Sequence, residues 1–273
     1  MNGTVAEDGV VAIVSGDEDR HGAACRIPER ALQSLPQLEV LFDSTGKGLG
    51  LPAPLARAYG ADLGLAGDCL VANFVESVDG VVAFPDAAGE SGAVVSGGSA
   101  PDRFLMGLLR ACADAVLIGA GTLRAAPGDL WFPESIFPAA ASLYQQARRA
   151  LGLTERPRLY VVSGSGRVDP GHPALRDGVV LRGKLEPGEI LAALRRDGHR
   201  RILCEGGPGL FAELLAARLV DEIFLTLSPR LFGRWAGDAR KALTEGRDLA
   251  GARLELVSLR RHQSHLFLRY RCG

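Results

Sequence analysis

From Cys69 onward the chain alternates short apolar, β-branched runs with amphipathic stretches, and most of these segments are bounded by glycine or proline. This alternation constrains the fold more than any other feature. "CLVANFVESVDG", "DAVLIGAG", "RPRLYVVSGSG", "GVVLRG", "RRILCEGG" and "VDEIFLTLSPRL" read as strands. "PDRFLMGLLRACA", "PAAASLYQQARRALG", "PGEILAALRRDG" and "GPGLFAELLAARL" read as helices, with proline near the start or glycine at the end. "DAVLIGAG" is apolar throughout, as a strand covered on both faces should be. "ARLELVSLRR" and "SHLFLRYRC" close the chain as an antiparallel pair. The pattern predicts an α/β fold of three layers, with a mostly parallel central sheet and an antiparallel C-terminal edge. Ligands in such sheets bind beyond the carboxyl ends of the strands. The loops after Phe74, Ile118, Val162 and Cys204 are therefore where chemistry is expected.

Residues 1–65 do not share the alternation and read as an N-terminal extension packed on a main domain of residues 66–273. "VVAIVSGDEDRHGAACRIPERAL" has room for one short strand. "IPERALQSLPQLEVLF" and "LPAPLARAYGADL" look like short helices broken by proline and glycine. "AAGESGAVVSGGSA" reads as a glycine- and serine-rich loop.

Charge excludes some partners. With 31 basic and 32 acidic side chains, a net charge of −1 offers no global attraction to nucleic acid or an anionic membrane. No run approaches the roughly 18 apolar residues of a membrane span. The N-terminus, "MNGTVAEDGVV", lacks the basic-then-apolar layout of a secretory signal. Five scattered cysteines with no Cys-x-x-Cys pair read as small buried hydrophobes of a reducing, cytoplasmic protein. His262 and His265 would fall on opposite faces of a strand, so no metal site is expected.

Three strand-end loops are rich in small residues. "RILCEGGPGLFAELL" runs from a strand through Glu205, Gly206, Gly207, Pro208 and Gly209 into a helix beginning near Leu210 and Phe211. "GPGLFA" fits the dinucleotide pattern G-x-G-x-x-A, but too little chain follows it for a doubly wound sheet opened at that point. The local physics still holds: glycine admits phosphate oxygens to backbone N–H groups, and a helix N-terminus favours the anion. A tight turn with close helix–strand packing is the alternative. "LIGAGTLRA" places Gly119, Gly121, Thr122 and Arg124 after a second strand, and "VVSGSGR" places Ser163, Gly164, Ser165 and Arg167 after a third. Three such loops in one sheet point to an extended phosphate-bearing cofactor.

Taken together, "NFVESVDGVVA", "SGGSAPDRFLMGLLRACADAVLIGAGTLRA", "RPRLYVVSGSGRVDP" and "RILCEGGPGLFAELLAARLVDEIFLTLSPRLFG" resemble, in order and spacing, the bacterial riboflavin-biosynthesis reductases. The likeness extends over roughly residues 69–272 and is nearest to stand-alone pyrimidine reductase-like members. The H-x-E and P-C-x-x-C motifs of the companion deaminase do not occur. The resemblance implies a dihydrofolate-reductase-like fold, NADPH as cofactor, a small-molecule substrate and a homodimer joined through sheet edges; "EIFLTLSPRLF" reads equally well as such an edge or as a core strand. It also implies roles. Gly119, Gly121 and Thr122 would lie along the diphosphate and ribose, and Ser163 and Gly164 near the adenosine 2′-phosphate. Gly206, Gly207, Pro208, Gly209, Leu210 and Phe211 would wrap the diphosphate. Asn73, Ser99, Arg110 and Glu205 would contact substrate. The reaction implied is hydride transfer to the ring-opened ribosyl carbon of a ribosylaminopyrimidine phosphate, with Asp79 or Glu205 helping deliver the proton.

The departures from the family pattern are on the substrate side. Asn73 stands where lysine is usual, Pro133 where an arginine grips substrate, and Pro101 where an aromatic follows the glycine-serine loop. The usual paired acids after "TLRA" are replaced by Ala125 to Gly128, with Asp129 displaced. Trp131 and Phe132 in this segment offer either a flat stacking surface or simple loop packing. Three readings stay open: an NADPH-dependent reductase of a pyrimidine or pterin-like ring, with the riboflavin intermediate ahead of dihydrofolate; a reductase of another small carbonyl or imine; and a non-catalytic NADPH-binding homologue.

Overall fold

The alternation of strand and helix folds into a nine-stranded sheet covered on both faces. The computed structural model describes residues 10–11, 27–28, 35–85, 91–235 and 237–273. Val10–Val11 (β1) and Ile27–Pro28 (β2) form a separate antiparallel pair. The main sheet is built from Glu39–Asp43 (β3), Cys69–Ser77 (β4), Ala115–Gly119 (β5), Arg158–Ser163 (β6), Val179–Arg182 (β7), Arg201–Cys204 (β8), Glu222–Ser228 (β9), Leu254–His262 (β10) and His265–Cys272 (β11). Its order is β3-β10-β11-β9-β4-β8-β5-β6-β7. Pairing is parallel from β9 through β4, β8, β5 and β6 to β7, and antiparallel among β3, β10, β11 and β9. The α/β architecture and the antiparallel C-terminal edge expected from the sequence are both present.

Period-two alternation along the strands divides the core. Val71, Val116, Ile118, Val161, Leu203 and Phe224 face one side. There they meet the helix Ala100–Cys112 (α3), the helix Ala141–Ala150 (α6) and the short helix Ala53–Tyr59 (α1). Leu70, Ala72, Leu117, Tyr160, Ile202 and Cys204 face the other side, against Pro187–Arg196 (α7) and Pro208–Ala216 (α8). The remaining helices are Ser91–Ser96 (α2), Ala120–Ala125 (α4) and Pro133–Ile136 (α5). Cys69, Cys112 and Cys204 are buried free thiols pushed up to about 12 by desolvation, in keeping with cysteines used as small hydrophobes. Cys25 lies outside the described residues. No helix among the described residues is long and apolar enough to cross a membrane.

Three local expectations are corrected, and one alternative is decided. Residues 39–43 are a strand rather than a helix: paired on β10, their β-branched and aromatic side chains gain more from the ladder than from a lone helical turn. The glycine-serine stretch contains α2, whose first residue, Ser91, is tied by its hydroxyl to Phe84 N at 3.1 Å. "AGTLRA" is the short helix α4 rather than a loop. Of the two readings of "EIFLTLSPRLF", sheet edge or core strand, the second holds: β9 is paired on both sides, with β4 and β11.

Buried arginines hold the layers in place. Arg148 of α6 donates from Nη1 to the carbonyls of Arg110, Ala111 and Ala113, and from Nε to Thr154 O. It thereby satisfies the carbonyls that the end of α3 leaves open. Arg260 of β10 bonds Tyr59 O, Ser258 Oγ and Asp43 Oδ2, and stacks 3.8 Å from the centre of the Tyr59 ring. It ties α1 and β3 to the C-terminal strands.

Candidate active site

β8 ends at Cys204, while β4 continues through Ser77 with only β9 beside it. The carboxyl ends of β4, β8 and β5 are therefore staggered, with β4 and β9 running on past β8. The loops after β5 and β8 meet there. Gly119 N donates to Gly206 O at 3.3 Å, and Glu205 N to Leu117 O at 3.1 Å. A Cβ built on Gly206 would lie 2.2 Å from Ile118 Cα, so this glycine is demanded by close approach of two backbones. Gly207 caps α8 with φ +72°, a conformation other residues adopt only under strain, and Thr122 Oγ1 lies 3.4 Å from where its Cβ would be. Gly209, by contrast, has nothing among the described residues within 4 Å of a built Cβ. The first turn of α8 carries no side-chain cap and no acidic residue, leaving its N–H groups available to an anion.

The third loop follows β6, next to β5 in the sheet. Ser163 is 2% exposed, and its hydroxyl has no hydrogen-bond partner among the described residues. Its carbonyl accepts from Gly166 N and Gly183 N, which folds the turn back on itself. Space beside Gly164 and Gly209, an orphaned serine hydroxyl and an uncapped helix N-terminus fit a phosphate-bearing cofactor laid across the three loops. Leu210 is half-buried, and Phe211 is buried with its ring centroid 4.8 Å from that of Phe74, so both pack α8 onto the sheet.

On the opposite face, Arg110 of α3 and Glu205 are joined directly. Arg110 donates from Nε to Glu205 Oε1 at 3.0 Å and from Nη2 to Oε2 at 2.7 Å, and both side chains are almost fully buried. Burial works against the Arg110 charge, but the Glu205 carboxylate outweighs it and holds the guanidinium above its ordinary value. Arg110 Nη1 also donates to Phe132 O, and Nη2 lies 3.9 Å from Asp129 Oδ2. The pair thus anchors the segment after α4. In that segment Trp131 is 3% exposed and has φ +54°, so it packs the loop into the core and presents no stacking face. The Arg156 guanidinium lies 4.3 Å from the centre of the Phe132 ring. His172 accepts Ala174 N at Nδ1, so its Nε2–H donates to Ala126 O, pinning the post-β6 loop to the post-α4 segment.

The other residues singled out from sequence are placed as follows. Asn73 is buried on β4, on the face shared with Val71. Ser99 is the N-cap of α3, its hydroxyl accepting from Asp102 N. Asp79 is engaged elsewhere: Oδ1 accepts from Ser77 Oγ at 2.5 Å, and Oδ2 from Phe232 N and Gly233 N. The Ser77 hydrogen bond and these backbone donors hold its carboxyl below the usual range. Asp79 clamps the post-β4 turn to the post-β9 loop, and Glu205 is occupied by Arg110. Burial nevertheless holds the Glu205 carboxyl above its ordinary value, against the pull of Arg110.

Sequence reasoning missed a third carboxyl. Asp102, in the first turn of α3, is 5% exposed and beside Thr226 of β9. Burial raises its carboxyl to about 6, against lowering by Thr226 and Arg103 and with a further push from Glu205. The signal was legible. Asp102, Leu105 and Leu109 recur at i, i+3 and i+7, so the acid sits on the apolar stripe of its helix. It was hidden by the spacing Ser99-x-x-Asp102, which also describes an ordinary helix start.

The model of the RibD C-terminal domain family matches residues 69–268. Among solved structures, a pyrimidine reductase-like protein from Corynebacterium diphtheriae superposes with a TM-score of 0.60 at 21% identity, covering 82% of this chain and 96% of that one. RibD from Acinetobacter baumannii gives 0.58 at 18% identity, covering 80% of this chain and 60% of that one. A diaminohydroxyphosphoribosylaminopyrimidine deaminase/5-amino-6-(5-phosphoribosylamino)uracil reductase from Thermotoga maritima gives 0.53 at 19%, covering 76% of this chain and 57% of that one. The chain thus spans little more than half the length of the last two. At these identities the likeness is one of fold. No curated protein matches the chain.

Proposed function

The chain belongs to the RibD C-terminal domain family, and from that premise we propose that it is an NADPH-dependent reductase of a phosphoribosylaminopyrimidine, acting as a 5-amino-6-(5-phosphoribosylamino)uracil reductase. The observation that carries the reading is the convergence of the post-β5 and post-β8 loops on the uncapped N-terminus of α8. This arrangement suits a dinucleotide diphosphate. Gly121, Thr122 and Gly207 to Gly209 would hold the diphosphate and ribose, and Ser163 and Gly164 the 2′-phosphate. Bound there, the nicotinamide supplies hydride. The chain's own residues orient the pyrimidine and exclude water from the site. Arg110 and Glu205 act by fixing the Asp129–Phe132 segment that would wall the substrate side. A cytoplasmic homodimer is part of the same reading, by likeness to the family.

The test is NADPH oxidation at 340 nm with the phosphoribosylaminopyrimidine and with dihydrofolate in parallel. Turnover of the phosphorylated pyrimidine is expected. Turnover of dihydrofolate alone would replace this substrate class, and NADPH binding without turnover of either would overturn the reading.

A further inference from the structure

We propose that Arg230, just past the end of β9, takes the phosphate of the substrate and so selects phosphorylated pyrimidines. The inference deepens the proposed function and rests on it for the identity of the substrate.

The guanidinium has a fixed seat. A Cβ built on Gly97 would lie 2.6 Å from Arg230 Nε and 3.0 Å from its Cζ, and Gly97 has φ +67°. The group therefore rests against backbone that only glycine leaves open. The other end of the residue is also held. Arg230 N donates to Ser228 O at 2.8 Å, and Arg230 O accepts from Val78 N at 2.9 Å. The turn beneath the guanidinium is fixed by β11, where His265 Nε2 donates to Ser96 O at 2.9 Å.

The charge is uncommitted. Arg110, Arg260 and Arg269 are paired with Glu205, Asp43 and Glu222. Arg240 donates to the carbonyls of Phe232 and Gly233. Asp79, next to Val78, is filled by Ser77 Oγ, Phe232 N and Gly233 N. Arg230 is exposed and has no hydrogen-bond or ion-pair partner among the described residues.

A second donor lies on the same side. Ser228 follows Phe224 at period two and faces α3 with it. It is fully buried, and its hydroxyl has no partner among the described residues. A guanidinium and a hydroxyl, both without acceptors, suit the several oxygens of a phosphate. A neutral ring or sugar would leave the charge unmet. β4 and β8 separate β9 from β5 and β6 in the sheet. The loops after β8, β5 and β6 can thus serve the dinucleotide while Arg230 serves a separate phosphate. Two anion sites at one end of the sheet match two phosphate-bearing ligands.

The experiment compares the full-length wild type with R230M and R230K, each saturated with NADPH. It measures kcat/KM for the phosphoribosylaminopyrimidine and for its dephosphorylated counterpart. Calorimetry adds the Kd of ribose 5-phosphate, a probe with the phosphate but no ring. The wild type is expected to prefer the phosphorylated substrate. R230M should lower that preference about 10–100-fold, chiefly through KM, and R230K should keep part of it. A preference in R230M within about threefold of wild type, or a wild type that turns over both substrates alike, would overturn the proposal. If the wild type turns over no pyrimidine, the proposed function fails, and ribose 5-phosphate decides on Arg230 separately. Binding about tenfold weaker in R230M would support the phosphate site. Equal binding in the two proteins, or none to the wild type, would overturn it.

Discussion

Replacing Asp102 with asparagine should make the protein more stable at alkaline pH. In the folded chain the carboxyl is raised from 3.8 to about 6, chiefly by burial. A group raised in the folded state is stabilising, relative to its ionised form, below its unfolded value, and this benefit is lost as pH rises through the folded value. Near pH 4 the wild type therefore carries little penalty. Between pH 4 and 6 the unfolded chain releases a proton that the folded chain retains, and stability drops. At ~1.36 kcal/mol per pH unit, ionised Asp102 costs the fold about 3 kcal/mol at pH 8, and about half of that by pH 5. Asparagine is close to isosteric and cannot ionise, so any change in hydrogen bonding it brings is the same at both pH values. The difference between the two conditions isolates the charge. Urea unfolding of wild type and D102N at pH 5 and pH 8 reads it as a shift in midpoint at constant slope. D102N should gain more at pH 8 than at pH 5 by roughly 1–2 kcal/mol. An equal effect at both values, or a smaller gain at pH 8, would refute the buried, proton-retaining carboxyl.

Arg148→Met should destabilise by about 3–5 kcal/mol, because it strips the charged donor from four carbonyls at the end of α3 and beyond; a thermal unfolding loss below about 1 kcal/mol would show the cap to be dispensable. Arg110→Met and Glu205→Gln should each cost about 3–5 kcal/mol by stranding the partner charge, and the double variant should cost less than the sum; additive losses in denaturation would contradict the buried pair. Gly206→Ala should lower stability by about 1–3 kcal/mol or more, since its Cβ meets the Ile118 backbone. Gly209→Ala should leave unfolding unchanged and raise the NADPH Kd by about tenfold, through the space it fills at the α8 N-terminus; unaltered NADPH binding by fluorescence titration would remove Gly209 from the cofactor loop.

Much of the frame was legible because its signals are local. The apolar run "DAVLIGAG" has no polar position to expose and becomes β5, paired on both sides. The proline and glycine around "PGEILAALRRDG" mark α7 because one lacks a useful N–H and the other tolerates the turn at Gly198, where φ is +87°. The three small-residue loops were found for the same reason. Shorter, ambiguous runs were not read correctly. "LEVLF" carries no period that separates a strand from a turn of helix, and only β10 beside it settles the choice.

By its own periodicity and punctuation, the chain's sequence determined the alternating elements, the parallel core, the antiparallel close and the strand ends at which a ligand would bind. Tertiary structure alone decided the surroundings of each carboxylate. Arg110 reaches Glu205 across 95 positions, Asp79 is taken up by backbone groups of a loop after β9, and Asp102 is desolvated by a strand distant in sequence. Helix and strand patterns arise from interactions within a few residues, whereas the charge state of an acid depends on the burial and neighbours that distant segments bring to it.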